Sequence, residues 1–298
     1  MIVAEKVHSF PVKRAPLFKI NDPFLEERKI TLFIKREDLI HPYIFGNKWH
    51  KLKYNLVEAE KQSQKTLLTF GGAFSNHIYA ASAAGKLFGF KTIGIIRGEE
   101  HLPLNPVISF ARQNGMIINY ISRRDYRRKT ENDLIEKLHR VYGSFYLLPE
   151  GGSNQYAVKG CSEIPASIDV KYDYIAAAIG TGGTAAGLIA GVPNGVKVLG
   201  FPVLKGAGFL EENMLKLLQG FADGKPDNYE IFFDYHFGGY AKSSDKLFSF
   251  ITEIEKKIKF LPDRIYFGKM LYGIYDLIGK GHFPENKTII ALNSASVS

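Results

Sequence analysis

The chain of 298 residues predicts an α/β fold of two domains, each an open, mostly parallel sheet flanked by helices. Three observations carry this. From Thr66 onward short apolar runs alternate with stretches of helical period, the pattern of repeated strand-helix-strand units. Glycine-rich turns (Gly71-Gly72, Gly151-Gly152, Gly180-Thr181-Gly182-Gly183) stand after such runs, where a parallel strand passes the chain to a helix. No linker rich in proline, glycine or serine and no repeat of fixed period separates the two series, so they share an interface. An N-terminal strand precedes the first series and further strands follow it. The expected organisation is a small doubly wound domain, 53–146, inserted into a large domain built from 1–52 and 147–298, with a cleft between them.

The elements follow in order. The segment through Asp38 reads as extended, with Leu32–Lys35 its best strand, and a helix begins near Lys48 with Leu52, Leu56 and Ala59 on one face. Strands are expected at Thr66–Phe70, Lys91–Ile96 and Met116–Ile121, with helices at Asn76–Phe88, Asn105–Gln113 and Glu131–Val141. Pro106 takes the favoured first-turn position of the second of these helices. Past Pro149, strands are expected at Tyr174–Ile179, Lys197–Val203, Glu230–Tyr235 and Thr288–Leu292, with helices near Thr184–Ala190, Phe209–Gln219, Lys246–Lys259 and Phe267–Ile278.

Composition bounds the function. With 45% hydrophobic and 23% charged residues the chain is an ordinary globular protein. A single cysteine, Cys161, forms no internal disulfide, reads as a small buried hydrophobe, and fits a reducing cytoplasm. Met1 to Phe10 hold Glu5, Lys6 and His8 and no apolar run of signal length, and no window approaches a membrane span. The net charge of +9 raises nucleic acid as a partner, densest at Arg123, Arg124, Arg127, Arg128 and Lys129. Glu131 and Asp133 follow at once, no aromatic residues interleave, and no helix-turn-helix or zinc pattern accompanies the cluster. Neither nucleic acid, membrane nor a bound metal is expected; a small anionic ligand is compatible.

Gly46-Asn47-Lys48-Trp49-His50-Lys51-Leu52 sets one lysine at a helix start and another three residues later on the same face. Burial and the positive helix end both disfavour an ammonium there, which frees an amine to attack a carbonyl, as a Schiff-base lysine requires. Taken alone, the stretch also fits an amphipathic helix whose lysines reach solvent. Gly180-Thr181-Gly182-Gly183-Thr184 follows an apolar strand and opens a helix of small residues. Backbone amides and two hydroxyls there make a phosphate cradle. The loop lacks the Lys-Ser/Thr ending of a triphosphate loop, and the next strand ends at Leu204-Lys205 without an acid for a ribose. Gly71-Gly72-Ala73-Phe74-Ser75-Asn76-His77 holds an equivalent place; Ser75 or Asn76 suits a helix cap, and either could face the cleft. His77 reads as an acid or base, or as a packed histidine. Pro149-Glu150-Gly151-Gly152-Ser153-Asn154 is a third loop of the kind, equally consistent with a plain turn.

Phe45-Gly46-Asn47-Lys48 with Lys51-Leu52, Gly71-Gly72 with Ser75-Asn76-His77, Thr181-Gly182-Gly183-Thr184, and Tyr266 with Gly268-Lys269 occur in that order over almost the whole chain. In combination they resemble the aminocyclopropanecarboxylate deaminase and D-cysteine desulfhydrase family, pyridoxal-phosphate enzymes with the tryptophan synthase β-like fold (fold type II). The resemblance implies pyridoxal 5'-phosphate as cofactor, a small amino acid as substrate and a homodimer. It implies that Lys48 carries the cofactor as a Schiff base, that Asn76 bonds the ring hydroxyl, and that Lys51, Thr181, Gly182, Gly183 and Thr184 bind the phosphate. Ser75, Asn76, His77, Tyr240 and Tyr266 would form the substrate side, with Ser75 and Tyr266 joining Lys48 in catalysis. Two positions depart from the family pattern. Phe267 stands where the deaminase branch places a glutamate against the pyridine nitrogen, and Asn293-Ser294-Ala295-Ser296 replaces a His-Thr-Gly-Gly stretch, leaving Ser294 as a hydroxyl for that nitrogen.

The activity implied is a deaminase or lyase that releases ammonia and a 2-oxo acid, by loss of a β substituent such as thiol or by opening of a cyclopropane. A hydroxyl partner for the ring nitrogen suits elimination better than transamination. Two other readings compete. Phe267 and the altered tail also fit a binding protein on the same scaffold, non-catalytic or of altered specificity. The alternating pattern also fits a nicotinamide oxidoreductase, for which Lys205 would favour NADP.

Overall fold

The computed structural model describes residues 2–221 and 226–294. Among the described residues ten strands form two sheets: β1 (Leu17–Lys19), β2 (Thr31–Arg36), β3 (Thr66–Gly71), β4 (Lys91–Arg97), β5 (Ile117–Ile121), β6 (Tyr146–Leu148), β7 (Tyr174–Ile179), β8 (Lys197–Pro202), β9 (Tyr229–Ile231) and β10 (Thr288–Asn293). One sheet has the order β1-β2-β10-β7-β8-β9 and the other β5-β4-β3-β6. Every pairing is parallel except β1 with β2. Twelve α-helices among the described residues accompany them: α1 (Val3–His8), α2 (Pro23–Glu27), α3 (Asn47–Lys61), α4 (Asn76–Phe88), α5 (Pro106–Gln113), α6 (Arg123–Arg127), α7 (Asn132–Tyr142), α8 (Gln155–Cys161), α9 (Gly183–Gly191), α10 (Phe209–Leu218), α11 (Asp245–Ile258) and α12 (Phe267–Gly279).

Both sheets are buried on both faces, which is why their strands read as continuous apolar runs. Alternate residues of the larger sheet enter opposite cores. Leu32, Ile34, Ala176, Leu199, Ile289 and Ala291 pack with α11 and α12, whereas Ile175, Ala177, Val198, Ile290 and Leu292 pack with α8, α9 and α10. In the smaller sheet Leu67 and Ile96 face α3, α4 and α5, and Leu68, Phe70, Ile93 and Ile95 face α6 and α7. Cys161 is buried in the α8–α9 core, as expected of a small apolar side chain. Local chemistry sets the helix starts. Ser75, Asn105 and Ser244 cap α4, α5 and α11 with side-chain oxygens, and Asn154 caps α8.

At four places the local structure adds to or departs from the expectation. The segment through Asp38 is not wholly extended: α1 forms with its first amide bonded to Glu60 Oε1 at 2.7 Å, and α2 starts at Asp22 and Pro23, an acid cap followed by a first-turn proline. The strand expected at Glu230–Tyr235 ends at Ile231, because Phe233–His236 coils into a tight turn and Phe237 takes φ +52°. Arg123, Arg124 and Arg127 of the basic cluster lie on the short helix α6, and beyond it Arg128 pairs with Glu131 and Asp133. Finally β6 joins the smaller sheet through Leu67 opposite Tyr146, so that sheet extends to Leu148. Among the described residues no helix is long and apolar enough to cross a membrane.

Candidate active site

In both sheets the loops that carry the candidate residues leave the carboxyl ends of parallel strands. β3 leads to Gly72–Ser75, β6 to Pro149–Ser153, β7 to Gly180–Gly182 and β10 to Ser294. These are the ends at which open sheets bind ligands. The turn before α3 closes on them. Gly46 has φ +58°, and a Cβ there would lie 1.9 Å from the Ser294 carbonyl oxygen, so only glycine lets α3 start against the end of β10.

Lys48 is the second residue of α3 and is half-buried. Its amine donates to Oδ1 of Asn47, and Asn47 Nδ2 donates to Thr184 Oγ1 at 2.8 Å, which ties the start of α3 to the start of α9. Burial, and secondarily the charge of Lys51, press the Lys48 amine down to about 7. Lys51, one turn further on, is 4% exposed. Its Nζ donates to the Gly151 carbonyl at 2.8 Å, Ser153 Oγ at 2.9 Å and Thr181 Oγ1 at 3.3 Å, and burial lowers its pKa to about 8. A Cβ on Gly183 would sit 2.7 Å from Ser153 Oγ and 3.3 Å from Lys51 Cε. The lysine therefore lies against the amino end of α9, and the two offer positive charge to the same space.

Ser75 is the cap of α4, accepting from the amides of His77 at 3.2 Å and Ile78 at 3.4 Å, so its hydroxyl proton stays available to an acceptor in the cleft. Asn76 is the first residue of α4. His77 is buried beneath this loop, with Nε2 on Thr69 Oγ1 and Nδ1 without a partner among the described residues; a Cβ on Gly152 would lie 3.3 Å from that Nδ1. Tyr266 stands at the start of α12, and its ring Cε1 would be 3.3 Å from a Cβ on Gly180. Tyr240 meets the Tyr266 ring edge to face at 6.0 Å. Burial, then Tyr240, raises the Tyr266 hydroxyl far above its ordinary range. Phe267 packs in the apolar core against Phe260, 6.1 Å between ring centres. Ala295 and Ser296 lie outside the described residues.

Lys48, Lys51, Thr181, Gly183, Thr184 and Ser294 are thus linked by direct contacts or by the close approach of Gly46. Gly182 opens α9 at φ +86°. Asn47, Thr69, Gly151 and Ser153 were not among the expected site residues. The signal for two of them was the glycine loop 149–154, which has the same strand-to-turn placement as the other two loops.

A family profile described as "Pyridoxal-phosphate dependent enzyme" matches residues 9–295. The chain belongs to that family. A relative in Arabidopsis thaliana named bifunctional D-cysteine desulfhydrase/1-aminocyclopropane-1-carboxylate deaminase, mitochondrial, is 29% identical over 92% of this chain and 74% of the relative. A protein of Allorhizobium ampelinum named 1-aminocyclopropane-1-carboxylate deaminase is 26% identical, over 88% of this chain and 86% of its own. A crystal structure titled as an ACC deaminase homologue superposes with a TM-score of 0.82 at 25% identity, covering 99% of this chain and 95% of the other. Family, fold and pyridoxal phosphate dependence agree with the expectation drawn from the four motifs. The residues present fit the cofactor: an amine close to neutral, and an anion cradle whose glycine leaves space that a Cβ would fill.

Proposed function

We propose that this pyridoxal-phosphate enzyme is a deaminase or lyase for a small amino acid, D-cysteine desulfhydrase-like or 1-aminocyclopropane-1-carboxylate deaminase-like, releasing ammonia and a 2-oxo acid. The observation that carries the reading is the Lys48 amine near 7 on the same helix as Lys51, which sits in the anion cradle. The names of the relatives support it.

Lys48 would hold the cofactor covalently, and Lys51, Thr181, Gly182, Gly183 and Thr184 would hold its phosphate. Asn76 would bond the ring hydroxyl and Ser294 the ring nitrogen. Bound pyridoxal phosphate supplies an electron sink for negative charge at the substrate Cα. Lys48 would also serve as a base of matched strength, able to take the substrate Cα proton and return it. Ser75 would donate its hydroxyl proton to the substrate carboxylate, with His77 beneath it, and Tyr266 and Tyr240 would close the substrate side and exclude water. With a thiol-bearing substrate the net change is cysteine and water to hydrogen sulfide, ammonia and pyruvate. With the cyclopropane substrate, ring opening replaces loss of thiol and gives ammonia and 2-oxobutanoate.

Phe267 favours elimination within this pair of activities. It is 2% exposed and apolar, so it offers the ring nitrogen no acid, and the hydroxyl of Ser294 would leave that nitrogen largely unprotonated. The same observation keeps a second reading in play, a binding protein of altered specificity on the same scaffold. We further infer a cytoplasmic homodimer, supported by the lone buried cysteine and the family resemblance. A screen of D- and L-amino acids and 1-aminocyclopropane-1-carboxylate for 2-oxo acid release, with added pyridoxal phosphate and Lys48→Ala as control, decides. Release that depends on Lys48 is expected; no release from any substrate leaves the binding protein.

A further inference from the structure

Lys269 and the Gly238-Gly239 turn have no part in the cofactor chemistry, yet both carry unusual structure. Lys269 is 1% exposed, on the first turn of α12, and its Nζ donates to the carbonyl oxygens of His236 and Gly239, both at 2.8 Å. A buried ammonium is retained where carbonyls satisfy it. Burial lowers its pKa to about 8 against the pull of Asp263. The turn it holds is also closed by the Gly239 amide on the His236 carbonyl at 3.0 Å, the Gly238 amide on His236 Nδ1 at 2.9 Å and the Lys242 amide on the Gly239 carbonyl at 3.1 Å, so Lys269 adds a tie to α12. Phe237, Gly238, Gly239 and Ala241 take φ of +52°, +89°, +117° and +54°, a left-handed stretch that two non-glycine residues adopt at a steric cost. Tyr240 lies inside that stretch, directly after the gripped Gly239.

The other half of the arrangement is Asp263. Its carboxylate accepts from the amides of Ile265, Tyr266 and Phe267 at 3.0, 2.7 and 2.9 Å, and its carbonyl accepts from Gly268 at 2.8 Å. A Cβ on Gly268 would lie 2.7 Å from that carbonyl oxygen, so glycine is needed for the aspartate to wrap the helix start. Asp263 therefore fixes the backbone of Tyr266, and Lys269, two residues beyond Phe267, fixes the backbone before Tyr240. The two rings they position meet edge to face at 6.0 Å, with Tyr266 over Gly180.

We propose that Lys269 and Asp263 form a clamp that positions the Tyr240–Tyr266 pair, and that Lys269 thereby supports substrate binding in the cleft. Lys269 is a positioning residue that acts through Tyr240. The substrate part of this rests on the reading above, in which the two tyrosines line the substrate pocket; the clamp itself does not.

The test uses the cofactor-loaded full chain as wild type, Lys269→Met and Lys269→Arg. Hydrogen exchange of the 236–241 segment reads the clamp without needing turnover. Visible absorption reads the cofactor, and KM and kcat are read for whichever amino acid the screen identifies. In Lys269→Met the segment exchanges faster, the cofactor absorption stays, and KM rises about tenfold while kcat changes less than about twofold; Lys269→Arg, which keeps charged donors, recovers part of both. A merely structural lysine would not give that split of KM from kcat. Unchanged exchange in Lys269→Met overturns the clamp, as does a fall in kcat at constant KM. If the methionine variant does not fold, Lys269→Gln, which keeps one amide donor, is measured in its place with the same expectations. If the screen finds no substrate, the functional reading fails and the exchange result alone decides the clamp.

Discussion

Nε2 of His77 stands 2.8 Å from Oγ1 of Thr69, and the only proton of that hydroxyl goes to the Leu148 carbonyl 2.8 Å away. The threonine must therefore accept from the histidine, which puts the ring proton on Nε2 and leaves Nδ1 a bare acceptor without a partner among the described residues. Burial, then the charges of Lys48 and Lys51, hold the imidazole well below its ordinary 6.5. Nitrogen-15 spectra of His77 should show the Nε2–H tautomer and no change as pH crosses 6.5. A titration centred there, or an Nδ1–H tautomer, would show that the ring is not locked by Thr69. Thr69→Val removes the acceptor and should destabilise the fold by about 1–3 kcal/mol, the cost of an unsatisfied buried N–H.

The depressed Lys48 amine gives a pH dependence of definite sign. A lysine attacks carbonyls only when unprotonated, and the unprotonated fraction grows as pH rises through the pKa. The rate at which apo-protein forms a borohydride-reducible bond to pyridoxal phosphate should rise with pH and level off above about 7. Lys48→Ala should form none. A profile still climbing towards the ordinary lysine value of 10.5 would mean that the amine is solvated and the site is not preformed.

Lys51 has the opposite pH signature, because its use is its charge. Lys51→Met should weaken cofactor binding by about 1.5–3 kcal/mol, roughly tenfold to a hundredfold in Kd, the range for a hydrogen bond to a charged group. In the unaltered protein, affinity should fall as pH passes about 8, where the ammonium is lost. Equilibrium dialysis across that range measures both. Affinity that is indifferent to the methionine would exclude Lys51 from the phosphate site.

Much of this site was legible from residue patterns, and what escaped did so for physical reasons. Lys48 and Lys51 could be placed because helical spacing fixes which residues share a face, and the loop 180–184 because glycines after an apolar strand expose amides. Asn47 and Thr69 could not. Asn47 acts by bridging Lys48 to Thr184, 137 positions away, and Thr69 by bonding both a histidine and the Leu148 carbonyl, 79 positions away; both roles depend on distant partners that no local pattern encodes. Short elements were also obscure. α8 has seven residues, too few for a clear helical period, and β6 and β9 have three each. Ser75 shows the remaining ambiguity, since a hydroxyl that caps a helix and one that faces a ligand look identical in a sequence, and here the cap leaves the proton free.

Behind the site, Lys35 is fully buried on β2 with its Nζ 3.5 Å from Glu37 Oε1 and no hydrogen-bond partner among the described residues. Glu37 also takes Nε2 of His50 at 2.9 Å, and its carbonyl accepts from Gly46 at 2.9 Å, so one residue joins β2, α3 and the turn that delivers Lys48. Burial works to raise the Glu37 carboxyl, but the His50 hydrogen bond and charge, together with Lys35, outweigh it and leave its pKa below 4.5. A carboxylate depressed in this way stabilises the fold above its unfolded value near 4.5 and loses that contribution as pH falls through the lower folded value. Glu37→Gln removes the counter-charge of a buried ammonium and should cost about 3–5 kcal/mol at neutral pH, whereas adding Lys35→Met should recover most of it, since the uncompensated buried charge is then gone. The loss should also flatten the acid limb of the stability curve, because the group that titrates there is gone. Trp49, the single tryptophan, is buried next to His50 and stacks on Phe10 at 4.5 Å, so its fluorescence in urea titrations reads both effects. Equal stability of Glu37→Gln and wild type at neutral pH would mean that Lys35 is neutral in the folded state, and that the turn bearing Lys48 is held by backbone hydrogen bonds alone.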